Sequence, residues 1–542
     1  MPGSEPRTRL NVTTFRHSPL SDFLVPFRKA QSQWVARYII VLFAVIIRCA
    51  VGLGPYSGKG TPPMFGDFEA QRHWLEITTH LPIKKWYRYD LGYWGLDYPP
   101  LTAFHSWFLG KVGGLIDASW FELDASRGIE AEGLKSFMRI TVILSELVCY
   151  VPGVLWYSRW MGRFYTHISP IDQTVVAAAI LFQPCLIIID HGHFQYNCVM
   201  LGLALLSWVS LLYDDYAIGA IFFVLSLGFK QMALYYAPVV FAYLLSVCCW
   251  PLPNGFNILR LCAVGTATLS TFAVLLAPFV LTGGFSEIGQ ILHRVFPFAR
   301  GIFEDKVASF WCATNTFVKY RSVFSLAQLQ LLSLVFTLIG LLPAVVIIFL
   351  HPRKHLLTWA LAGCSWSFYL FSFQVHEKSV LLPLLPTTLL LAEADHNTVS
   401  MVSWINNIGL FSLWPLLQKD GLALQYFVLG VLSNWLLGNL NWISKWLLPG
   451  FLIPGPVLGE KVSRQDTQTV IHTHWSWSVI VVTSYIGIAA LHAIEFYLDP
   501  PRNYPDLWVI GNVTLSFGCF TLFWLWVNYR LFMMRNKKLK TQ

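Results

Sequence analysis

Residues 325–350, SLAQLQLLSLVFTLIGLLPAVVIIFL, contain no acidic or basic side chain, and apolar runs of similar length recur along the chain. Because roughly 20 apolar residues in a helix span the core of a bilayer, each run is a candidate membrane span. Only 12% of the residues are charged, whereas soluble domains carry about 25%. The sequence therefore predicts an all-α polytopic membrane protein and excludes a soluble multidomain fold.

The hydropathy of the chain predicts roughly fourteen transmembrane helices, most of them about 17–25 residues long. The predicted spans are residues 37–54, 138–158, 173–189, 197–213, 216–229, 232–250, 258–281, 325–350, 356–373, 379–393, 401–416, 422–443, 475–496 and 507–530. The weakest are 216–229 and 401–416, either of which could be re-entrant. Losing one of them would reverse the orientation of everything downstream.

Basic residues flank both ends of the predicted membrane region. The N-terminal tail, 1–36, and the C-terminal tail, 531–542, are both rich in Arg and Lys. Since such residues favour the cytosolic side of a span, we expect two cytosolic tails, an even number of spans and an uncleaved signal anchor rather than nucleic-acid binding. The basic turn HPRKH, 351–355, also falls on the cytosolic side in this count. The terminal KKLKTQ resembles dilysine retrieval signals, which indicates the endoplasmic reticulum membrane.

The same alternation places several polar segments together on the lumenal side. They are the long first loop 55–137, HGHFQYN at 191–197, FKQ at 229–231, the second large loop 282–324 and VHEKS at 375–379. Ionisable groups near a bilayer are costly, so their convergence on one face predicts a shared site at the membrane surface. In the first loop, residues 67–80 are predicted to form a short amphipathic helix with Trp74 and Leu75 on its apolar side.

Each polar motif also has an ordinary structural explanation. Asp67 opens the predicted helix and could be its N-cap. Asp97 precedes Tyr-Pro-Pro and could be a turn residue. His191 and His193 have no third ligand at fitting spacing, which favours a hydrogen-bonded loop over a metal site. The charged side chains of VHEKS could extend to the interface from the end of a span.

Taken together, these motifs resemble a known family. The segments are GDFEAQRHW, GLDYPPLTAFHSW, LFQPCLIIIDHGHFQYN, SLGFKQMALYYAP, FPFARGIFEDKVASFWC and FQVHEKSVLLPLLP. In this order they resemble the dolichyl-phosphate-glucose-dependent α-1,3-glucosyltransferases of the endoplasmic reticulum, which belong to the GT-C class, and the resemblance runs from about residue 34 to at least 390. Within the family, ARGIFEDKVASFWC resembles the members that add the first glucose to the nine-mannose lipid-linked oligosaccharide, with the second-glucose members as the alternative.

The resemblance implies an inverting transfer with one base and no covalent nucleophile. A carboxylate must take the proton of the acceptor hydroxyl as the sugar acquires oxocarbenium character. By resemblance that base is Asp67. Asp97 in GLDYPP is the second catalytic candidate, a carboxylate that would hold acceptor hydroxyls or orient the site. The implied partners are dolichyl-phosphate-glucose, a dolichyl-diphosphate-linked oligosaccharide and the bilayer, whereas the oligomeric state is open.

The leaving group is a phosphate, so the site needs fixed positive charge and not a general acid. His376 and Lys378 are the first candidates for binding it because they adjoin a span. Further lumenal candidates are Arg294 and Arg321, together with Arg300 and Lys306. The candidates for binding substrate sugars are Glu69, His191, His193, Gln195, Glu304 and Asp305.

The expected organisation is a catalytic module, 37–400, followed by a C-terminal transmembrane module, 401–530. No Asp-x-Asp pair is present to hold Mg²⁺ against a diphosphate, so we predict catalysis without a metal or other cofactor. The competing class is a lipid flippase or transporter. Transporters commonly place their ionisable residues near the membrane midplane, whereas the acids here gather in loops at span ends, which favours an enzyme.

Overall fold

The computed structural model describes residue 15 and residues 18–27, 30–165, 168–249, 255–296, 306–439 and 475–536. Throughout these ranges the regular structure is helical, and the helices are joined by turns and irregular segments. The α-helices are α1 (Pro19–Leu24), α2 (Ala30–Gly52), α3 (Asp67–His80), α4 (Pro100–Gly114), α5 (Glu132–Phe164), α6 (Pro170–Leu181), α7 (Pro184–Ile187), α8 (Asn197–Leu212), α9 (Tyr216–Phe229), α10 (Ala237–Cys249), α11 (Ile258–Gly283), α12 (Ser286–Val295), α13 (Phe310–Thr314), α14 (Tyr320–Val323), α15 (Leu326–Leu350), α16 (Lys354–Phe371), α17 (Leu381–Leu389), α18 (His396–Ser412), α19 (Trp414–Lys419), α20 (Ala423–Leu436), α21 (Trp475–Tyr497) and α22 (Leu507–Met534). A π-helix, Ile188–Phe194, continues α7.

Each of the predicted spans contains helix in the structure, including the two weakest, which correspond to α9 and α18. Among the described residues, seven helices are long and apolar enough to cross a membrane, and four shorter apolar helices accompany them. The all-helical, multi-pass class is therefore confirmed, while a count of fourteen crossings goes beyond what helix length alone establishes. Most of the N-terminal tail, the segment 440–474 and the terminal KKLKTQ signal lie outside the described residues.

Local sequence signals explain where several of these helices begin. Ser325 caps α15 and Gln328 reciprocates, so that two backbone N–H groups at the helix start are satisfied by side chains. Ser169 and Asp172 form the same capping box at the start of α6, where Pro170 occupies the first turn. These caps place the helix starts close to the boundaries that hydropathy predicts.

The helix that runs from Pro170 to Phe194 lies at the centre of the bundle. In its most apolar window 94% of the residues are buried inside the protein, against 17% in α11 and 11% in α21. A helix that is apolar all round and buried is a core element, whereas an apolar helix that stays exposed suits contact with lipid. The π-helix therefore ends a central element, and its side chains are held by neighbours on several sides.

The first long loop contains α3 and α4. The bounds of α3 confirm the predicted helix over residues 67–80, and Trp74 and Leu75 are buried as expected. The amphipathic prediction is corrected, because Glu69, Arg72 and Glu76 are also buried and no polar face remains on the surface. The Arg72 guanidinium pairs with both carboxylates, while His73 also contacts Glu76 and Tyr93 donates to Glu69, and these partners offset the cost of their burial.

Candidate active site

The start of α3 fixes the position of Asp67. Gly66 precedes the helix with φ 87° and ψ −162°, a conformation open to glycine, and it occupies the N-cap position. Asp67 is the first residue of the helix, and its backbone N–H donates to Ser57 Oγ at 3.4 Å. The N-cap interpretation of Asp67 is therefore wrong, since its carboxylate makes no cap hydrogen bond and points to other partners.

Three donors converge on one oxygen of Asp67. Oδ2 lies 2.9 Å from His193 Nε2 and 2.7 Å from Gln195 Nε2, and it also contacts Lys378 Nζ. The described residues offer no hydrogen-bond partner to the other oxygen, Oδ1. The side chain retains 23% exposure. The protein thus supplies three hydrogen-bond donors to Oδ2, whereas Oδ1 can accept a hydrogen bond from a bound molecule.

The charges around Asp67 keep its carboxylate ionised. Burial by itself would raise the pKa of this group, but the Lys378 ammonium and the His193 ring outweigh burial and hold the pKa well below its ordinary value of 3.8. Asp67 is consequently a carboxylate throughout the neutral range and is able to accept a proton.

His193 connects Asp67 to a second carboxylate, which sequence reasoning missed. His193 Nδ1 lies 2.5 Å from Asp420 Oδ2, and the two side chains are almost fully buried. Asp420 ends the short helix α19 and stands 227 residues from His193 in sequence. A signal existed, because Asp420-Gly421 is a turn sequence that follows a predicted span on the lumenal side, but no family motif surrounds it.

Asp97 lies near the same site in the irregular segment before α4. Its neighbour Tyr98 is covered by Lys230, whose Nζ is 4.8 Å from the ring centroid and 2.7 Å from Asn197 Oδ1. Burial and the charge of Lys378 lower the pKa of Lys230 to about 8, against opposing effects of nearby carboxylates that include Asp67 and Asp97. The structure thus adds Lys230 to the residues around both predicted carboxylates.

Two of the predicted sugar-binding residues are placed elsewhere. His191 Nε2 lies 2.8 Å from Glu146 Oε2, inside a buried cluster with Arg48. Glu69 binds the Arg72 guanidinium through both oxygens at 2.7 Å. Because each is held in its own buried network, neither is brought together with Asp67.

The predicted phosphate-binding residues are also dispersed. Lys378 meets Asp67, and His376 begins the same short 3₁₀ turn with its backbone N–H 3.3 Å from Ser379 Oγ. Arg294 instead donates to the carbonyls of Gly95 and Leu96. Of the remaining phosphate candidates, Arg321 is exposed in α14, Lys306 pairs with Asp506, and Arg300 lies outside the described residues. The predicted sugar-binding residues Glu304 and Asp305 also lie outside the described residues.

The fold and this site define a multi-pass helical membrane protein with an ionised carboxylate, cationic groups and an open oxygen at one end of its bundle. Residues 44–526 match the ALG6, ALG8 glycosyltransferase family, and the chain belongs to that family. Similar curated proteins are the dolichyl pyrophosphate Man9GlcNAc2 alpha-1,3-glucosyltransferases of Saccharomyces cerevisiae, Gallus gallus and Mus musculus. The yeast protein is 55% identical over 97% of each chain. The chicken and mouse proteins are 38% and 36% identical, covering 92% and 91% of this chain and 96% of their own lengths.

Proposed function

We propose that this protein transfers glucose from dolichyl-phosphate-glucose to the terminal α-1,2-mannose of the A arm of Man9GlcNAc2-diphosphodolichol. The new linkage is α-1,3 and forms with inversion, during assembly of the lipid-linked oligosaccharide for protein N-glycosylation. The names of the similar curated proteins support this acceptor and this linkage. Family membership supports the reaction class.

The open oxygen of Asp67 is the observation that carries the proposal. An inverting transfer needs one carboxylate within reach of the attacking hydroxyl, with that carboxylate ionised and fixed in direction. Donors hold Oδ2 of Asp67, while Oδ1 has no partner among the described residues and the side chain is partly exposed. In the proposed reaction, Oδ1 takes the proton of the mannose 3-hydroxyl as that oxygen attacks the glucose anomeric carbon. The bond from that carbon to the phosphate oxygen breaks, and its electron pair leaves with dolichyl phosphate.

Lys378 and His376 are proposed to receive the donor phosphate. Lys378 already lies beside the base, and a flexible ammonium can bind an incoming phosphate oxygen without fixed geometry. The leaving phosphate is a stable anion, so charge stabilisation takes the place of a general acid. Asp97 and Lys230 are proposed to line the acceptor side of the same site.

We further propose fourteen membrane crossings, cytosolic termini and a lumenal active site in the endoplasmic reticulum. Ion pairs between separate connections support the alternation. Asp67 pairs with Lys378, and Lys306 pairs with Asp506. All four residues lie in connections that follow odd-numbered predicted spans. After even-numbered spans, Asp214 pairs with Lys354. Each pair joins connections that the alternation assigns to the same side.

The second-glucose reaction is the alternative, because the matched family bears the names of two glycosyltransferases. A flippase is less well supported, since the ionisable cluster around Asp67 lies where helices begin and end and not within them.

The test is glucose transfer from dolichyl-phosphate-glucose by the purified protein, with the unglucosylated and the singly glucosylated acceptor compared. We expect the wild type to prefer the unglucosylated acceptor and Asp67→Asn to lose nearly all transfer while remaining folded. Asp506→Asn, which removes an exposed carboxylate near the same end, is the control and should keep its rate. A preference for the glucosylated acceptor would assign the second-glucose reaction, and no transfer to either would reject the proposal. Substantial activity in Asp67→Asn would reject Asp67 as the base.

Metal-independent catalysis is part of the proposal, because Lys378 and His376 take the place that a cation has in nucleotide-sugar enzymes. Transfer should be unchanged in EDTA. A loss in EDTA that Mn²⁺ or Mg²⁺ restores would contradict it.

A further inference from the structure

We infer that Asp420, in the C-terminal part of the chain, is a positioning residue for the transfer reaction. Through the ring of His193 it holds the Asp67 carboxylate in the orientation that leaves Oδ1 for the acceptor hydroxyl. This inference rests on the proposed function, because it takes Asp67 as the base.

Two carboxylates hold the His193 ring from opposite sides. Nδ1 lies 2.5 Å from Asp420 Oδ2, and Nε2 lies 2.9 Å from Asp67 Oδ2. A neutral imidazole has one N–H, whereas the imidazolium has two. The imidazolium is therefore the form that donates to both carboxylates at once, and the Asp420 charge favours it.

Burial separates the roles of the two carboxylates. The side chains of His193 and Asp420 are 2% and 4% exposed, whereas that of Asp67 is 23% exposed. Asp420 therefore lies behind the ring, away from the space that remains open at Asp67. A carboxylate buried to this degree needs a cationic partner, and the His193 ring provides one. Lys378, which contacts the same Asp67 oxygen as His193, is a further charged group that acts on the ring.

The backbone around Asp420 is fixed against the helix that carries His193. Gly421 lies at φ +73°, a conformation that favours glycine, and a Cβ added to it would meet Pro55 at ordinary contact distance. Leu422 is fully buried and packs on Gly192, where an added Cβ would be 3.1 Å from its Cδ1. The ring is anchored on its other side as well, because the His193 carbonyl accepts from Ser57 N–H at 2.9 Å.

Loss of the Asp420 charge has a specific chemical consequence. Without it the neutral ring is favoured, which has one N–H in place of two, so donation from Nε2 to the Asp67 carboxylate loses its positive charge and is absent when the proton lies on Nδ1. The hold of His193 on Asp67 is then weaker, and the orientation of the carboxylate depends mainly on Gln195 and Lys378. A carboxylate that fixes the tautomer of a histidine acts on turnover and not on substrate binding. The expected effect is therefore on kcat.

The experiment measures kcat and both KM values for Asp420→Asn in the full-length protein. We expect kcat to fall roughly 10- to 100-fold, as is usual when a group that orients a catalytic partner is lost, with each KM within about twofold of wild type. In a His193→Gln background the same change should lower kcat less than about twofold, because the two residues act as a unit. Glu495→Gln, which removes another carboxylate from the same part of the chain where it accepts from Trp414, should keep its kcat.

Wild-type kcat in Asp420→Asn, a loss confined to KM, or an equal loss in both backgrounds would overturn the inference. If Asp420→Asn is not recovered folded, Leu422→Ala replaces it, since that change loosens the turn and keeps every charge. An unchanged kcat in Leu422→Ala would also overturn the inference. Failure of the wild type to transfer glucose would instead reject the proposed function, so the two failures are distinguishable.

Discussion

The two oxygens of Asp67 have different surroundings, and this asymmetry explains how one side chain can be both held and reactive. Oδ2 is fixed by His193, Gln195 and Lys378, while Oδ1 has no partner among the described residues. Two of these donors carry or can carry positive charge, so Asp67, the proposed base, is a weak one. A weak base suits a reaction in which the attacking hydroxyl becomes acidic only as its bond to the anomeric carbon forms.

Replacing Lys378 by methionine should change the pH dependence of transfer. The Lys378 ammonium is the largest influence that lowers the pKa of Asp67 below 3.8, and burial opposes it. Without that charge the pKa of Asp67 rises, so the ionised base is lost at higher pH on acidification. We expect the acidic limb of the kcat/KM profile to move to higher pH in Lys378→Met, together with an increased KM for the donor.

The control for this change is Lys354→Met, which removes a lysine from a pair with Asp214 that the proposed alternation places on the opposite side. Its profile should match the wild type. An acidic limb that stays in place in Lys378→Met would show that the lysine does not set the ionisation of Asp67.

At the scale of the element, the stability of helix α3 depends on ion pairs between its own buried side chains. Arg72 is fully buried, binds Glu69 and Glu76 at 2.7 Å, and also reaches Ser126 Oγ at 2.7 Å. Removing one partner of a buried ion pair typically costs about 3–5 kcal/mol. We expect Glu76→Gln to lower the free energy of unfolding of the purified protein by an amount in that range and to lower its thermal unfolding temperature. The control is Glu132→Gln, which should have little effect because the Glu132 side chain is 75% exposed.

The stability that Glu76 provides should also depend on pH. Burial raises the pKa of this carboxyl, but hydrogen bonding to His73 and the charge of Arg72 outweigh burial and lower it from 4.5 to about 2. A lowered pKa in the folded state stabilises the protein above the ordinary pKa, and this contribution disappears as the pH falls from about 4.5 toward 2. The stability difference between wild type and Glu76→Gln should shrink in that interval. A difference that stays constant there would contradict the ionised pairing.

Two glycines in the segment before α3 allow a matched test of whether the surrounding backbone leaves room for a side chain. Both have positive φ, +75° at Gly58 and +68° at Gly60, but an added Cβ would meet the Phe65 carbonyl oxygen at Gly58 and nothing within 4 Å at Gly60. Gly60→Ala should cost about 1 kcal/mol from backbone strain alone. Gly58→Ala should cost more and also lower kcat, because the adjacent Ser57 contacts the backbone of both His193 and Asp67. Equal effects of the two changes on thermal stability and kcat would contradict this assignment.

At the scale of the whole molecule, the pairs between connections predict which segments share a side of the membrane. Cysteines introduced at Asp214 and Asp395 should react with an impermeant maleimide in sealed microsomes. Cysteines at Lys306 and Asp506 should react only after permeabilisation, and the wild type measures the background of native cysteines. Labelling of the Asp506 position in sealed vesicles would contradict the proposed fourteen crossings. It would place the connection before the last span on the cytosolic side, which requires a different number of crossings before it.

Local sequence was sufficient to predict the helical segments and several residues of the candidate site. Apolar runs and capping residues act over one or two helical turns, so the helix over 67–80 and the spans near α9 and α18 were predictable. Asp67 was selected because its motif resembles that of the family, and Lys378, His193 and Gln195 were selected because they lie in polar segments beside predicted spans.

Only the tertiary structure decided which of these groups meet. Asp67 pairs with Gln195 across 128 residues and with Lys378 across 311, and His193 meets Asp420 across 227. The same packing places Glu69 and His191 in separate buried networks. The physical reason is the sequence separation over which each effect acts. Hydropathy and capping act between neighbours in sequence, whereas the donors that reach a given carboxylate depend on how helices distant in sequence pack together. The sequence by itself thus determined the helical segments and the polar candidates, and helix packing determined which of those candidates pair in the candidate site.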